Sequence, residues 1–166
     1  IQKEADRINP DYLIVDTPGQ IELFAYRQSG PFFVNEFVAE EKMNLFLFDG
    51  TMVSSPSNFV SLTLLSTSIR LRLGLPTVNV ITKTDLIQEK LEKVLSWSGT
   101  DSQLEADLAG ELNGDTFSLV SDMLSSLNRH DFQQDLIPVS NLTGDGMVSL
   151  QSALSRTINL GEEIED

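Results

Sequence analysis

Three short polar clusters in the sequence each follow directly on an apolar run. In chain order they are Asp16-Thr17-Pro18-Gly19-Gln20, Thr82-Lys83-Thr84-Asp85 and Ser140-Asn141-Leu142-Thr143. Carboxylates, hydroxyls, a lysine and a turn-forming glycine are the groups that proteins use to hold phosphates, magnesium and nucleotide bases. The clusters therefore indicate the parts of one nucleotide site, if the fold brings them together.

The elements that would position these clusters are strands of a parallel sheet. Apolar runs at residues 12–15, 44–48, 77–81 and 136–139 predict four strands, with helices between them. Strands separated by helices pair in parallel through right-handed crossovers, and ligands bind beyond the carboxyl ends of such strands. We therefore expect an α/β fold, with a parallel sheet between flanking helices, in which the three clusters share one rim.

Helix signals fill the segments between the predicted strands. Ser57 is the predicted N-cap of one helix, and Gly74 and Pro76 are expected to end it. Helices are predicted from about residue 31, and over residues 57–73, 86–97, 102–112, 115–128 and 147–158. Residues 1–166 then form a single domain, with a helical insert over about residues 86–135.

The first cluster suits the terminal phosphate of a nucleotide. Asp16 would position Mg²⁺, the Gly19 N–H would contact the γ-phosphate, and Gln20, or Glu22 beyond it, would orient the attacking water. Asp-x-x-Gly alone is expected about once by chance in a chain of this length. The alternative interpretation of Asp16 and Gly19 is an ordinary capped turn between a strand and a helix.

The second and third clusters suit a guanine base. Asp85 can accept hydrogen bonds from the guanine N1–H and exocyclic amine, a donor pair that adenine lacks. Lys83 would lay its stem along the base or the phosphate loop. Backbone N–H groups near Asn141 and Leu142 could meet the guanine O6. An ordinary loop is the alternative, above all for residues 140–146, because Ser, Asn and Gly fill many loops.

Composition argues against several other classes of protein. The net charge of −14 opposes extended contact with a nucleic-acid backbone. The sequence shows neither an apolar run long enough to span a membrane nor an export signal at its first residues. It contains no cysteine, which excludes disulfides and thiolate metal sites and favours a cytoplasmic location.

Three segments of the chain resemble the corresponding segments of the GPN-loop GTPases. They are residues 16–24, Ser29-Gly30-Pro31-Phe32 and Thr82-Lys83-Thr84-Asp85. The resemblance extends from residue 11 to about residue 160. It implies a P-loop NTPase-like, three-layer α/β/α fold, Mg²⁺-dependent hydrolysis of GTP to GDP, and a homodimer or a heterodimer of paralogues. It implies that Thr17, Pro18, Thr82 and Ser140 also belong to the nucleotide site, and that RNA polymerase assembly is a possible context.

Two motifs of that family do not occur in the chain. It has neither the Gly-x-x-x-x-Gly-Lys-Ser/Thr phosphate loop nor the Gly-Pro-Asn tripeptide, which precede the first predicted strand in the family. We therefore expect the chain to be the C-terminal portion of a G domain, incomplete at its N-terminus and inactive alone. Two alternatives stay open: a GTPase of the signal-recognition or metallochaperone class, and a non-catalytic module with a GTPase-like fold.

Overall fold

The fold is known for most of the chain from a computed structural model. It describes residues 2–17, 19–53, 55–98, 103–129 and 136–162, except for the side chains of Glu22 and residues 159–162. No helix in these stretches is both long enough and apolar enough to cross a membrane.

A three-stranded parallel sheet lies at the centre of the described chain. Its strands β1 (Asn44–Asp49), β2 (Thr77–Thr82) and β3 (Leu136–Pro138) lie side by side in that order. All pairs are parallel, so the three carboxyl ends lie at one rim. Three of the four predicted strands are therefore confirmed within one or two residues.

Helices connect and flank the strands. They are α1 (Gln2–Ile8), α2 (Ile21–Ala25), α3 (Ser29–Glu36), α4 (Pro56–Leu73), α5 (Gln88–Ser98), α6 (Gln103–Ala109), α7 (Gly114–Arg129) and α8 (Met147–Glu162), with a 3₁₀ turn at Thr84–Leu86. The predictions for α3 to α8 are confirmed to within a few residues, whereas the prediction contained no helix at the positions of α1 and α2, the latter having been expected as a turn or irregular segment. Residues 99–102 and 130–135, part of the predicted insert, lie outside the described residues.

The N-cap of helix α4 lies two residues before the cap that the sequence suggested. Ser55 is its N-cap, and its hydroxyl accepts a hydrogen bond from the Asn58 N–H at 3.3 Å. Ser57 lies inside the first turn, where its N–H and hydroxyl donate to the Glu111 carboxylate at 3.1 and 2.9 Å. The predicted cap at Ser57 is therefore wrong, while the predicted end at Gly74 is confirmed by its left-handed φ of 67°.

Helices lie on both faces of the sheet, although Leu45 and Leu47 of β1 remain exposed. Phe46 and Phe48 of β1 belong to the larger apolar core, to which α4 contributes Phe59. Val78 and Val80 of β2 point the opposite way and form a second core with α8. Helices on opposite faces of a parallel sheet define the expected three-layer α/β/α architecture.

The helical insert is joined to this core through Trp97 of α5, whose ring lies 5.8 Å from that of Phe59. The Trp97 indole N–H donates to the Asp107 carboxylate of α6 at 2.8 Å, and the Lys93 ammonium lies 3.3 Å from the same carboxylate. These contacts lower the pKa of Asp107, the indole N–H having the largest effect. Trp97 is thus a core residue that fixes α5 against α6.

The apolar run before Asp16 does not form the predicted strand. Residues 12–15 have no strand structure, and the side chains of Tyr12 and Ile14 are 73% and 90% exposed. Four consecutive apolar residues are typical of a strand covered on both faces, but a strand also needs a neighbour for its N–H and C=O groups. Among the described residues, no strand pairs with this run, and β1 is itself an edge strand.

Candidate functional site

The turn that follows β2 carries the second cluster at the rim of the sheet. Lys83 has a left-handed backbone, with φ 56° and ψ 36°, and the 3₁₀ turn at Thr84–Leu86 follows it. The Thr84 N–H donates to the Val139 carbonyl at 3.3 Å, which ties this turn to the end of β3. A non-glycine residue in this region of φ is uncommon and is often found at functional sites.

The third cluster lies directly against the second. The Ser140 hydroxyl donates to Asp85 Oδ1 at 2.6 Å, and the Thr143 N–H donates to the same hydroxyl at 3.2 Å. Ser140 is buried, whereas Asp85 is half-buried. In the described part of the chain Asp85 Oδ2 accepts no hydrogen bond, so this oxygen is available to a ligand. One lone pair of Oδ1 holds the carboxylate in place, so Oδ2 and the second lone pair of Oδ1 are left for a ligand.

The loop after Ser140 leaves two backbone donors open. The N–H groups of Asn141 and Leu142 make no hydrogen bond to any described residue, and the Leu142 side chain is exposed. The loop returns to α8 through Gly146, which has φ 79° and lies so close to the Pro138 carbonyl that a Cβ would overlap it. These two donors directly follow Ser140, which bonds Asp85, and their contact with O6 stays a prediction.

Asp49 is a rim residue that the sequence analysis missed. It ends β1, and its Oδ2 lies 2.6 Å from the Lys83 ammonium. Its Oδ1 accepts from the Thr51 N–H at 3.0 Å and from the Thr51 hydroxyl at 2.7 Å. The hydrogen bond from Lys83, followed by that from the Thr51 hydroxyl, lowers the pKa of Asp49 below its ordinary value. The sequence did contain a signal, because Asp49 follows a predicted strand at the same rim.

The first cluster is not joined to the other two. The side chains of Asp16, Thr17 and Gln20 are exposed and make no hydrogen bond within the described residues, and Gly19 is exposed as well. Pro18 and the side chain of Glu22 lie outside the described residues. The expectation of one rim shared by all three clusters is therefore met by the second and third only. The physical reason is that residues 12–15, which should deliver Asp16 to the rim, are not paired into the sheet.

Among the described residues, Asp16 does not belong to a group of side chains that could hold a metal ion by themselves. The described residues contain no group of three or more His, Cys, Asp or Glu side chains that could hold a metal ion. Magnesium in nucleotide sites commonly takes one or two carboxylates and completes its octahedron with waters and phosphate oxygens. An exposed, unbonded Asp16 fits that kind of coordination and does not fit a site built from protein ligands alone.

One protein family and several curated proteins each match most of the chain. A family described as "conserved hypothetical ATP binding protein" matches residues 1–160. The chain is 32% identical over 150 residues to GPN-loop GTPase QQT2 of Arabidopsis thaliana, covering 89% of this chain and 38% of that protein. It is 30% identical over 156 residues to GPN-loop GTPase 1 of Saccharomyces cerevisiae, covering 88% and 40%. The chain thus spans about two fifths of the length of these curated relatives.

A solved structure shows the same fold. It is described as "PAB0955 crystal structure: a GTPase in Apo form from Pyrococcus abyssi" and matches with a TM-score of 0.78 at 21% identity, over 94% of this chain and 63% of that one. At this identity the likeness shows the fold alone, a parallel sheet with flanking helices. The family match over residues 1–160, together with these curated relatives, shows that the chain belongs to the GPN-loop GTPase family.

Proposed function

We propose that the protein binds guanine nucleotides and hydrolyses GTP with Mg²⁺. The observation that carries this proposal is the Asp85 carboxylate, held at the rim by Ser140 at 2.6 Å with its second oxygen open. A carboxylate pairs with the two adjacent donors of guanine, and adenine cannot supply them. The matched family is described as ATP binding, whereas the curated relatives are named GTPases. The chemistry of Asp85 favours guanine.

The base would lie between the turns that follow β2 and β3. In this arrangement Asp85 accepts from the N1–H and the exocyclic amine, and the N–H groups of Asn141 and Leu142 donate to O6. Lys83 lays its stem along the base or the phosphate loop. Thr82 contributes indirectly, because its hydroxyl donates to the Phe48 carbonyl at 3.2 Å and so fixes the end of β2 against β1.

The phosphate end would be served by residues 16–22. Asp16 holds Mg²⁺, and Thr17, Pro18 and Gly19 form the turn whose backbone meets the γ-phosphate. The metal would neutralise charge on the phosphate oxygens. Gln20, or Glu22 beyond it, orients the attacking water. For these residues to act on the same nucleotide as Asp85, the run at 12–15 must join the sheet.

The outer side of β1 supports the presence of a further strand and helix from outside these 166 residues. Leu45 and Leu47 are paired in register with Val78 and Val80, so the four side chains share one face. The two valines are buried beneath α8, whereas Leu45 and Leu47 are 38% and 60% exposed. A parallel strand paired with β1, followed by a helix over these leucines, would cover the face and give residues 12–15 a neighbour. We propose that this unit carries the phosphate loop.

Replacement of Leu47 by aspartate tests this proposal. If a helix covers Leu47 in the natural full-length protein, burial of a charge there should lower the free energy of unfolding by about 3 kcal/mol or more. Leu119→Asp is the matched control, because Leu119 on α7 is 59% exposed and Leu47 is 60% exposed. Urea unfolding of both variants measures the difference. Equal, small losses would contradict a buried Leu47.

The family likeness also carries a proposal about assembly. Phe32 on α3 and Val38 just after it are 66% and 75% exposed, and these side chains are suited to contact with a second subunit. We therefore propose a homodimer or a heterodimer of paralogues, acting in the cytoplasm, with RNA polymerase assembly as its context. No direct contact with nucleic acid is proposed, because of the net charge of −14.

Nucleotide preference is the experiment that tests the proposed function. Calorimetry on the natural full-length protein should show GTP binding at least about 100-fold tighter than ATP, because a site that pairs with particular donors rejects an analogue lacking them. Phosphate release from GTP should require Mg²⁺. Equal affinity for GTP and ATP would contradict the role of Asp85. Tight GTP binding without hydrolysis would favour the non-catalytic module.

A further inference from the structure

We propose that Asp49 is a positioning residue for the nucleotide, which acts by holding the Lys83 ammonium in place at the rim. This inference rests on the proposed guanine-nucleotide site, and it adds a residue from β1 to a site so far built from the ends of β2 and β3. Asp49 itself would not touch the nucleotide. Its effect would pass through Lys83.

The two oxygens of the Asp49 carboxylate accept hydrogen bonds from different residues. Oδ1 accepts from the N–H and the hydroxyl of Thr51, at 3.0 and 2.7 Å, and these two bonds orient the carboxylate. Oδ2 faces the Lys83 ammonium at 2.6 Å. Because the carboxylate is oriented by hydrogen bonds within its own turn, it holds the lysine ammonium in one preferred position.

The backbone keeps the two turns at a fixed separation. The Gly50 N–H donates to the Thr82 carbonyl at 3.0 Å, one residue after the end of β1. A Cβ at Gly50 would lie 2.6 Å from that carbonyl oxygen, so only glycine allows the approach. Thr82 in turn donates through its hydroxyl to the Phe48 carbonyl. Thr82, which precedes Lys83, is therefore hydrogen-bonded to both residues that flank Asp49, and this fixes the two turns relative to each other.

The Lys83 side chain would lose conformational freedom when it packs along a nucleotide. Its left-handed backbone directs the chain into the turn that carries Asp85 two residues later, so the lysine stem and the base-reading carboxylate leave the same turn. The Lys83 side chain is 54% exposed. A long, exposed lysine loses rotamer freedom when it packs along a ligand, and an ion pair formed beforehand removes part of that loss.

A purely structural role for Asp49 predicts a different outcome, so the two can be separated. If Asp49 only joined the turns after β1 and β2, its removal would weaken nucleotide binding whether or not residue 83 is a lysine. If it acts through Lys83, its removal should have no further effect once the ammonium is gone. A double-mutant cycle measures this difference directly.

The test uses the natural full-length protein and GDP as the probe, with affinity measured by calorimetry for wild type, Asp49→Asn, Lys83→Met and the double variant. We expect Asp49→Asn to weaken GDP binding about 5-fold to 20-fold, which is less than the loss of a whole charge-assisted hydrogen bond to the ligand because Asp49 acts only through Lys83. The double variant should bind GDP no more weakly than Lys83→Met alone. Asp49→Glu, which keeps the charge, should recover most of the lost affinity.

Asp107→Asn is the matched control, because it breaks another aspartate–lysine ion pair, with Lys93, within the helical insert. It should leave GDP affinity unchanged. Unchanged affinity in Asp49→Asn, or losses that add in the double variant, would overturn the positioning role while leaving the guanine site intact. A wild-type protein that binds no guanine nucleotide would overturn the proposed function itself, and the inference with it.

Discussion

Replacement of Asp85 by asparagine is expected to change the preferred base of the full-length protein from guanine to xanthine. Asparagine presents an NH₂ group where the carboxylate presents an oxygen, so it faces the guanine amine donor with another donor. Xanthine has a carbonyl at that position and can accept from the new amide. Loss of two charge-assisted hydrogen bonds should weaken GTP binding by roughly 100-fold to 10,000-fold.

The structure indicates that this variant keeps the geometry of the site. Ser140 donates to Asp85 Oδ1, and the amide oxygen of asparagine can accept the same bond. The Thr143 N–H still bonds the Ser140 hydroxyl, so the loop after β3 should remain in place. The expected change is therefore one of base recognition and not of folding.

Competition binding with GTP, XTP and ATP measures the change. Asp122→Asn on α7 is the control, since this aspartate is exposed, makes no described hydrogen bond and carries the same substitution. It should keep the wild-type preference for GTP. A GTP affinity in Asp85→Asn equal to that of wild type would remove Asp85 from base recognition.

Much of the fold followed from the sequence because β2 and β3 lie between helices. The runs at residues 77–81 and 136–139 are apolar because β2 and β3 lie between α4 and α8, so their positions could be predicted from composition alone. The same reasoning failed at residues 12–15. An apolar run indicates that a segment is suited to burial. It does not indicate whether a neighbouring strand is present to pair with that segment.

The site residues could be predicted where a polar side chain directly follows a predicted strand. A contact between side chains of two different strands was harder to predict. Asp85 and Ser140 lie 55 positions apart, and both were found because each follows a predicted strand. Asp49 also ends a strand, but Asp-Gly is a common turn sequence, and its pairing with Lys83 depends on a register that composition does not reveal. Ser57 was misassigned as a cap although Ser55 precedes a proline, which favours the first position of a helix, so the local sequence did contain the correct signal.

Replacement of Gln20 by leucine is expected to slow GTP hydrolysis while leaving GTP binding nearly unchanged. The Gln20 side chain is exposed and makes no hydrogen bond to a described residue. The backbone carbonyl of Gln20 accepts a hydrogen bond from the Leu23 N–H at 3.0 Å, at the start of α2. Leucine keeps that backbone bond and a similar size, but it cannot orient water. We expect the turnover rate to fall about 100-fold, and the dissociation constant for GTP to change less than about 3-fold.

Single-turnover phosphate release and equilibrium binding separate the two effects. Gln28→Leu is the control, because Gln28 is also exposed and its backbone carbonyl likewise accepts a helical N–H, from Phe32 at 2.9 Å. It should hydrolyse GTP at the wild-type rate. Unchanged turnover in Gln20→Leu, together with a large loss in Glu22→Gln, would transfer the water-orienting role to Glu22. Losses of hydrolysis and GTP affinity in equal measure would instead mean that Gln20 binds the nucleotide, since a group acting only on the attacking water cannot change ground-state affinity.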